Sequence, residues 1–154
     1  GKNIALISDA GTPGISDPGA FIVAQVIKEL SEIKIEAVPG ASALVAAISI
    51  AGVSASEFLF LGFLPRKKGR ETLFKEIAAA KRAVVFYESP HRILKTLESL
   101  KKFAPEKKTT ICRELTKIYE EVVSGTAGEL LEFFQKNPEK VRGEFVVIVL
   151  SEKK

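Results

Sequence analysis

One cysteine, Cys112, and one histidine, His91, set the first limits on this chain of 154 residues. A lone cysteine cannot close an internal disulfide, and Cys112 sits among apolar residues that mark a small buried side chain in a strand. With so few soft ligands and no ligand spacing, no metal site is recognisable. Long apolar runs are missing as well. The longest, Ala41 to Val53, is shorter than the roughly 20 residues a membrane helix needs and is broken by small residues. No basic-then-apolar leader opens the chain. A cytoplasmic protein without membrane or metal is therefore expected. The dinucleotide pattern G-x-G-x-x-G is absent, and so is the lysine that follows the glycines of a phosphate-binding P-loop. There is no internal repeat and no low-complexity stretch.

What remains is an ordinary globular composition, 46% hydrophobic and 27% charged. The length suits one ordinary domain or two small ones. The net charge of +4 is a mild bias. The basic residues cluster, however: Arg66, Lys67, Lys68 and Arg70 in one loop, then Lys101, Lys102, Lys107 and Lys108. Such clusters are either a solvated loop and helix end or a contact surface for a phosphate backbone.

Hydrophobic periodicity alternates between strand and helix. Ile4–Ile7 reads as a buried strand, Phe21–Leu30 as a helix and Ile33–Val38 as a second strand stopped by Pro39-Gly40. Ala41–Ala51 is apolar almost all round, which predicts a buried helix stopped by Gly52. After Ser54-Ala55-Ser56 the pattern restarts. Strands are predicted at Phe58–Phe63, Ala83–Tyr87, Thr109–Arg113, Tyr119–Ser124 (ended by Gly125) and Glu144–Leu150. Helices are predicted at Arg70–Ala80, Pro90–Phe103 and Ala127–Gln135. The class is α/β with a mixed sheet. The expected boundary divides residues 1–55 from 56–154.

The sharpest local signal is Ser8-Asp9-Ala10-Gly11-Thr12-Pro13-Gly14-Ile15-Ser16-Asp17-Pro18-Gly19. Glycines let the backbone turn and approach a ligand, and prolines stiffen it. The loop follows a predicted strand, where open α/β sheets bind ligands. Without a cationic anchor it suits a neutral or zwitterionic nucleoside better than a triphosphate. The plainer reading is a turn with Asp17 capping the next helix.

This loop resembles the signature of the ribosomal RNA small-subunit methyltransferase I family, within the tetrapyrrole methylase superfamily. Other runs agree in order: Pro39-Gly40-Ala41-Ser42-Ala43, Gly62-Phe63-Leu64-Pro65, Phe86-Tyr87-Glu88-Ser89-Pro90-His91-Arg92, Arg113-Glu114-Leu115-Thr116-Lys117 and Gly143-Glu144-Phe145-Val146-Val147-Ile148-Val149. The resemblance implies a class III methyltransferase with two α/β domains, the first incomplete here, and S-adenosylmethionine in the cleft between them. It implies methyl transfer to a cytidine 2′-hydroxyl of 16S ribosomal RNA, by a homodimer. The family pattern begins with a further strand and loop that this chain lacks, so the chain is expected to be a portion of a longer protein.

On that analogy Asp9, Ala10, Gly11, Thr12 and Pro13 line the cofactor. Ser42 and Ala43 offer amides at a helix start, Tyr87, Glu88 and Ser89 form an opposite wall, and Gly143 and Glu144 lie near the adenine. A ribose hydroxyl needs its proton accepted, and Glu88, Glu114 and His91 are the candidates. Glu88 and Glu114 could instead be held by Arg92 or Arg113, and His91 could be an exposed helix-start residue. Arg66, Lys67, Lys68, Arg70, Arg92 and Arg113 are the candidate RNA contacts, guanidinium groups being suited to phosphate. Two alternatives are methylation of a small tetrapyrrole and a non-catalytic fragment that binds RNA or dimerises.

Overall fold

A computed structural model describes residues 2–53 and 56–151 of the chain. These fall into two compact units, Gly1–Ser42 and Ala43–Lys154. The boundary expected at 55/56 falls partly on residues outside the described set. The helix that follows Ser42 belongs to the second unit.

In the first unit the helix α1 (Ala20–Glu29) forms within a residue of its predicted place. It starts after Gly19, whose φ of 133° suits glycine, and no side chain caps it, so Asp17 does not act as an N-cap. The two predicted strands, Ile4–Ile7 and Ile33–Val38, do not form among the described residues. An apolar run becomes a strand only when a neighbour supplies the other half of the hydrogen-bond ladder. The described residues supply no such neighbour, and Ile4 and Val38 stay largely exposed.

The second unit is the expected α/β structure with a mixed sheet. Its elements are α2 (Ala43–Ile50), β1 (Phe58–Phe63), α3 (Arg70–Ala79), β2 (Ala83–Glu88), α4 (Ile93–Phe103), β3 (Lys108–Arg113), β4 (Glu121–Thr126), α5 (Ala127–Lys136), a 3-10 turn at Pro138–Lys140 and β5 (Phe145–Val149). The sheet order is β1-β2-β5-β3-β4. Strands β1 and β2 are parallel, joined through α3, and the remaining pairs are antiparallel.

Both faces of the central strands are covered, which explains the apolar runs of β2 and β5. Alternate residues face opposite ways. Val84, Phe86, Ile111, Phe145, Val147 and Val149 join the core with α3, α4 and α5. Val85, Cys112, Val146 and Ile148 join Leu44 and Ala47 of α2.

Several predicted boundaries move, with α2 starting at Ala43 rather than Ala41 and β4 at Glu121 rather than Tyr119, and two further shifts have a visible cause. Strand β4 runs through Gly125, which pairs with Thr109, and passes straight into α5. Thr126 and Glu129 form a capping box there, and a Cβ at Gly125 would stand 2.9 Å from Glu129 Oε2. Helix α4 starts at Ile93 rather than Pro90, because the Ser89 carbonyl accepts from the amides of Arg92 and Ile93 in a turn before it.

Candidate functional site

In the first unit, Ser8–Gly19 folds on itself and against Val38–Ala41. The Thr12 amide donates to Ala41 O at 3.2 Å, and Thr12 Oγ1 donates to Val38 O at 3.1 Å. Ser8 Oγ reaches the carbonyls of Ala10 and Gly11. Glycine is required at Gly11, where φ is 74° and a Cβ would overlap the Ala41 carbonyl oxygen. At Gly14 the space a Cβ would enter is open, and φ is 108°. The loop thus presents bare backbone, small hydroxyls and the exposed carboxylate of Asp9, with no cation. That donor set fits a ligand that carries its own positive charge and hydrogen-bonding groups, and does not fit a polyphosphate.

In the second unit, the Gly62–Pro65 run, the end of β2 and the first turns of α4 and α3 converge on one buried network. Glu88 follows Val84 and Phe86 onto the α4 side of the sheet, where it is fully buried. A carboxylate there is tolerable only if its oxygens are satisfied. Oε1 accepts from the Ser89 amide at 2.9 Å and pairs with Arg92 Nη2 at 2.7 Å. Oε2 accepts from Thr96 Oγ1 at 2.6 Å. Thr96 Oγ1 in turn accepts from Arg70 Nη2 at 2.8 Å. The Nη1 atoms of Arg70 and Arg92 donate to the carbonyls of Pro65 and Leu64. Burial lowers the pKa of Arg70 from its ordinary value, with Glu88 opposing the shift and Arg92 adding to it. Over this network opens a cavity of about 450 Å³ lined by Arg66, Arg70, Ser89, His91, Arg92 and Lys95.

A second cluster in the same unit joins Glu114 to Gly143–Glu144. The Glu114 amide donates to Glu144 O at 3.0 Å, and the Glu144 amide donates to Glu114 Oε1 at 2.9 Å. Lys117 Nζ reaches Glu114 Oε1 and Glu144 Oε2, both at 2.9 Å. The Glu144 amide first, and Lys117 next, hold the Glu114 carboxyl below the usual carboxylate range. Lys117 has its pKa raised by its bonds to Glu144 and Glu114. Gly143 has φ 80°, and a Cβ there would overlap the Glu114 side chain.

The expected cofactor residues divide between the units. Asp9–Pro13 and Ser42 belong to the first, and Ala43, Tyr87, Glu88, Ser89, Gly143 and Glu144 to the second. Tyr87 and Glu88 do not share a wall. Strand alternation sends Tyr87 to the α2 side, edge-on to Phe60 and Phe63 with ring centroids 5.0 and 5.6 Å away.

The candidate RNA contacts Arg66, Arg70 and Arg92 do come together, while Lys67 and Lys68 stay exposed in the adjoining loop. Arg113 is elsewhere, 3.6 Å from Glu121, which also pairs with Lys140. In the second basic cluster Lys107 is buried and donates to Ala80 O, so it is structural. Sequence reasoning missed Lys95, Thr96 and Lys117. Thr96 had a readable signal: it is a polar residue on the buried stripe Ile93, Thr96, Leu97, Leu100 of an amphipathic helix.

Comparison with known proteins follows the same lines. The family model described as Tetrapyrrole (Corrin/Porphyrin) Methylases matches residues 1–131. A Thermotoga maritima protein named "Ribosomal RNA small subunit methyltransferase I" is 41% identical over 97% of this chain and 65% of its own length. The Synechocystis protein of that name is 42% identical over 97% of the chain and 53% of its own length. This chain therefore spans about half to two thirds of such relatives. Among solved structures, the methyltransferase CobJ superposes with a TM-score of 0.65 at 20% identity, covering 92% of this chain and 62% of that one. Uroporphyrin-III C-methyl transferase from Thermus thermophilus, complexed with S-adenyl homocysteine, gives 0.59 at 17% identity, covering 90% and 62%. At these identities the structures show a shared fold.

Proposed function

The chain belongs to the tetrapyrrole (corrin/porphyrin) methylase family, and from that premise we propose that it serves S-adenosylmethionine-dependent methyl transfer to RNA of the small ribosomal subunit, a cytidine 2′-hydroxyl being the acceptor. The observation that carries this reading is identity above 40% across 97% of the chain to relatives named "Ribosomal RNA small subunit methyltransferase I"; the cytidine 2′-hydroxyl rests on the motif resemblance. The relatives' name also supports a cytoplasmic site of action. A homodimer is the proposed assembly, and sedimentation would test it.

S-adenosylmethionine, when bound, supplies an activated methyl group. The chain's own residues bind, orient and manage the acceptor proton. The Asp9–Pro13 loop suits the cofactor because its exposed carboxylate, the Thr12 hydroxyl and the adjoining open backbone at Gly14 match a cationic, zwitterionic nucleoside. Ser42, Ala43, Tyr87, Ser89, Gly143 and Glu144 complete the proposed contact set.

Three groups were candidates to accept the hydroxyl proton. Glu88 is fully buried with both oxygens engaged, so it is a positioning residue. Glu114 is held as a carboxylate by the Glu144 amide and Lys117, which makes it a weak proton acceptor. Of the three, His91 presents an exposed side chain at the cationic cavity, and it is the proposed acceptor of the hydroxyl proton.

The test begins with calorimetric titration of S-adenosylhomocysteine into the chain and its Asp9→Ala variant. Saturable binding is expected, weakened roughly tenfold by the substitution, as when one charge-assisted hydrogen bond is removed. Absence of binding would refute cofactor binding by this chain. A methylation assay offering small ribosomal subunits or uroporphyrinogen then separates the RNA substrate from a tetrapyrrole. Methylation of neither would favour a non-catalytic role.

A further inference from the structure

Most of the cationic cavity's charge is not consumed by the fold. Arg66, Arg70, Arg92 and Lys95 line it, together with His91 and Ser89. Among the described residues, the acid paired with one of these cations, Arg92, is Glu88, which is fully buried. Glu88 and Thr96 form a bracket that fixes two guanidinium groups at once, Arg92 through Glu88 Oε1 and Arg70 through Thr96 Oγ1. The carbonyls of Leu64 and Pro65 hold the same two groups from the other side. Burying a carboxylate against two half-buried arginines is expensive unless it fixes something. What it fixes is the direction of two planar forks at the edge of an open cationic cavity.

We propose that this cavity is a phosphate site, taking one phosphodiester of the RNA backbone, with Glu88 and Thr96 as positioning residues that hold Arg70 and Arg92 in place. The inference rests on the RNA reading above and adds where the backbone is gripped. A phosphate suits the geometry because each guanidinium Nη carries a second hydrogen beyond the one donated to the protein, and the exposed Lys95 and Arg66 add positive charge at the rim. The Ser89 turn into α4 adds the positive end of a helix dipole. The convergence of Gly62–Pro65 with Tyr87–Arg92, distant in sequence, follows from the same role: one run supplies carbonyl anchors and the other supplies the guanidinium and the carboxylate.

The measurement is fluorescence anisotropy of a short labelled single-stranded RNA with the chain, across a potassium chloride series and without cofactor. Thr96→Val keeps the size and net charge of the chain but removes the hydroxyl that links Arg70 to Glu88. Binding is expected to weaken roughly tenfold, and the salt slope to become shallower by about 0.7 for each phosphate that is no longer gripped. Thr96→Ser is expected to restore it. Glu88→Gln is the sign test. It makes the cavity more positive, so a diffuse charge patch predicts tighter binding, whereas loss of positioning predicts weaker binding. Lys95→Ala, at an exposed side chain that does not threaten folding, is expected to weaken binding more than Lys102→Ala, which removes the same charge from the far end of α4.

Equal losses for the two lysines, or unchanged affinity in Thr96→Val, would overturn the proposal. So would saturable binding of inorganic phosphate by a chain that does not bind the RNA. Cofactor binding is read separately. Intact S-adenosylhomocysteine binding with pocket variants that do not affect RNA would sink this inference alone. Pocket-dependent RNA binding without cofactor binding would sink the methyl-transfer reading alone.

Discussion

Substituting Gly143 by alanine probes how tightly the Glu114–Glu144 cluster is built. Two costs combine. The backbone at Gly143 has φ 80°, and a left-handed conformation costs an L-residue about 1–2 kcal/mol. The new Cβ would also overlap Glu114, driving its carboxylate off the Glu144 amide and Lys117. The hydrogen bond from the Glu144 amide to Glu114 is solvent-exposed, so it adds at most about 1 kcal/mol. Glu114 is 17% exposed and Lys117 is 47% exposed, so solvent screening reduces the lysine's share to near zero. The expected loss is about 1–3 kcal/mol, or a fall in Tm of roughly 3–12 °C. Urea and thermal unfolding followed by circular dichroism would measure it.

The double-mutant cycle isolates the clash. In the Glu114→Ala background the overlap is gone and only the backbone cost remains, so the two substitutions should couple by about 1 kcal/mol. Strict additivity would show that Glu114 does not occupy the space above Gly143. A cost under about 0.5 kcal/mol for Gly143→Ala would refute the backbone argument as well.

Thr126→Ala removes the N-cap of α5 and should destabilise the second unit by about 1 kcal/mol in urea unfolding, with Thr126→Ser recovering most of it. Acid should weaken the protein through Glu114 and Glu129, whose carboxyls lie below their ordinary range, Glu114 chiefly through the Glu144 amide and Glu129 through the Thr126 amide. Because the folded pKa is the lower one, that stability is present above the unfolded value and disappears as pH falls through the folded value. Unfolding midpoints should decline below about pH 4, less steeply in Glu114→Gln. Lys117 acts in the opposite direction, its raised pKa giving stability that is lost only as strong alkali is approached. Burial, with Glu120 adding, pushes the Cys112 thiol up to about 11, so the native chain should resist thiol alkylation at pH 8 and react at the rate it unfolds. Fast labelling of folded protein would contradict the buried position of that strand.

The residues of the second unit declare their elements individually. Phe58–Phe63 and Phe145–Val149 are apolar, β-branched or aromatic runs too short for helices, and α4 and α5 carry apolar positions at helical spacing. The α/β class, the order of these elements and the burial of Cys112 follow from such local patterns. So does the Ser8–Gly19 loop, because glycines at Gly11 and Gly14 leave few other uses for that backbone.

Tertiary structure alone decided what depends on partners far along the chain. Ile4–Ile7 and Ile33–Val38 have strand composition but no ladder neighbour among the described residues, and composition does not contain the neighbour. The period of two along β2 separates Tyr87 from Glu88, although they are adjacent in the sequence. Whether a glutamate is a base or an anchor depends on the atoms that meet it. Glu88 meets Thr96, Arg92 and the Ser89 amide, and Glu114 meets Lys117 and the Glu144 amide. The basic loop residues were visible as charge, but their convergence with His91 and Lys95 around one cavity arises from the crossing of β1, α3, β2 and α4. Side-chain chemistry is written locally, whereas its desolvation and its partners come from segments that only the fold brings together.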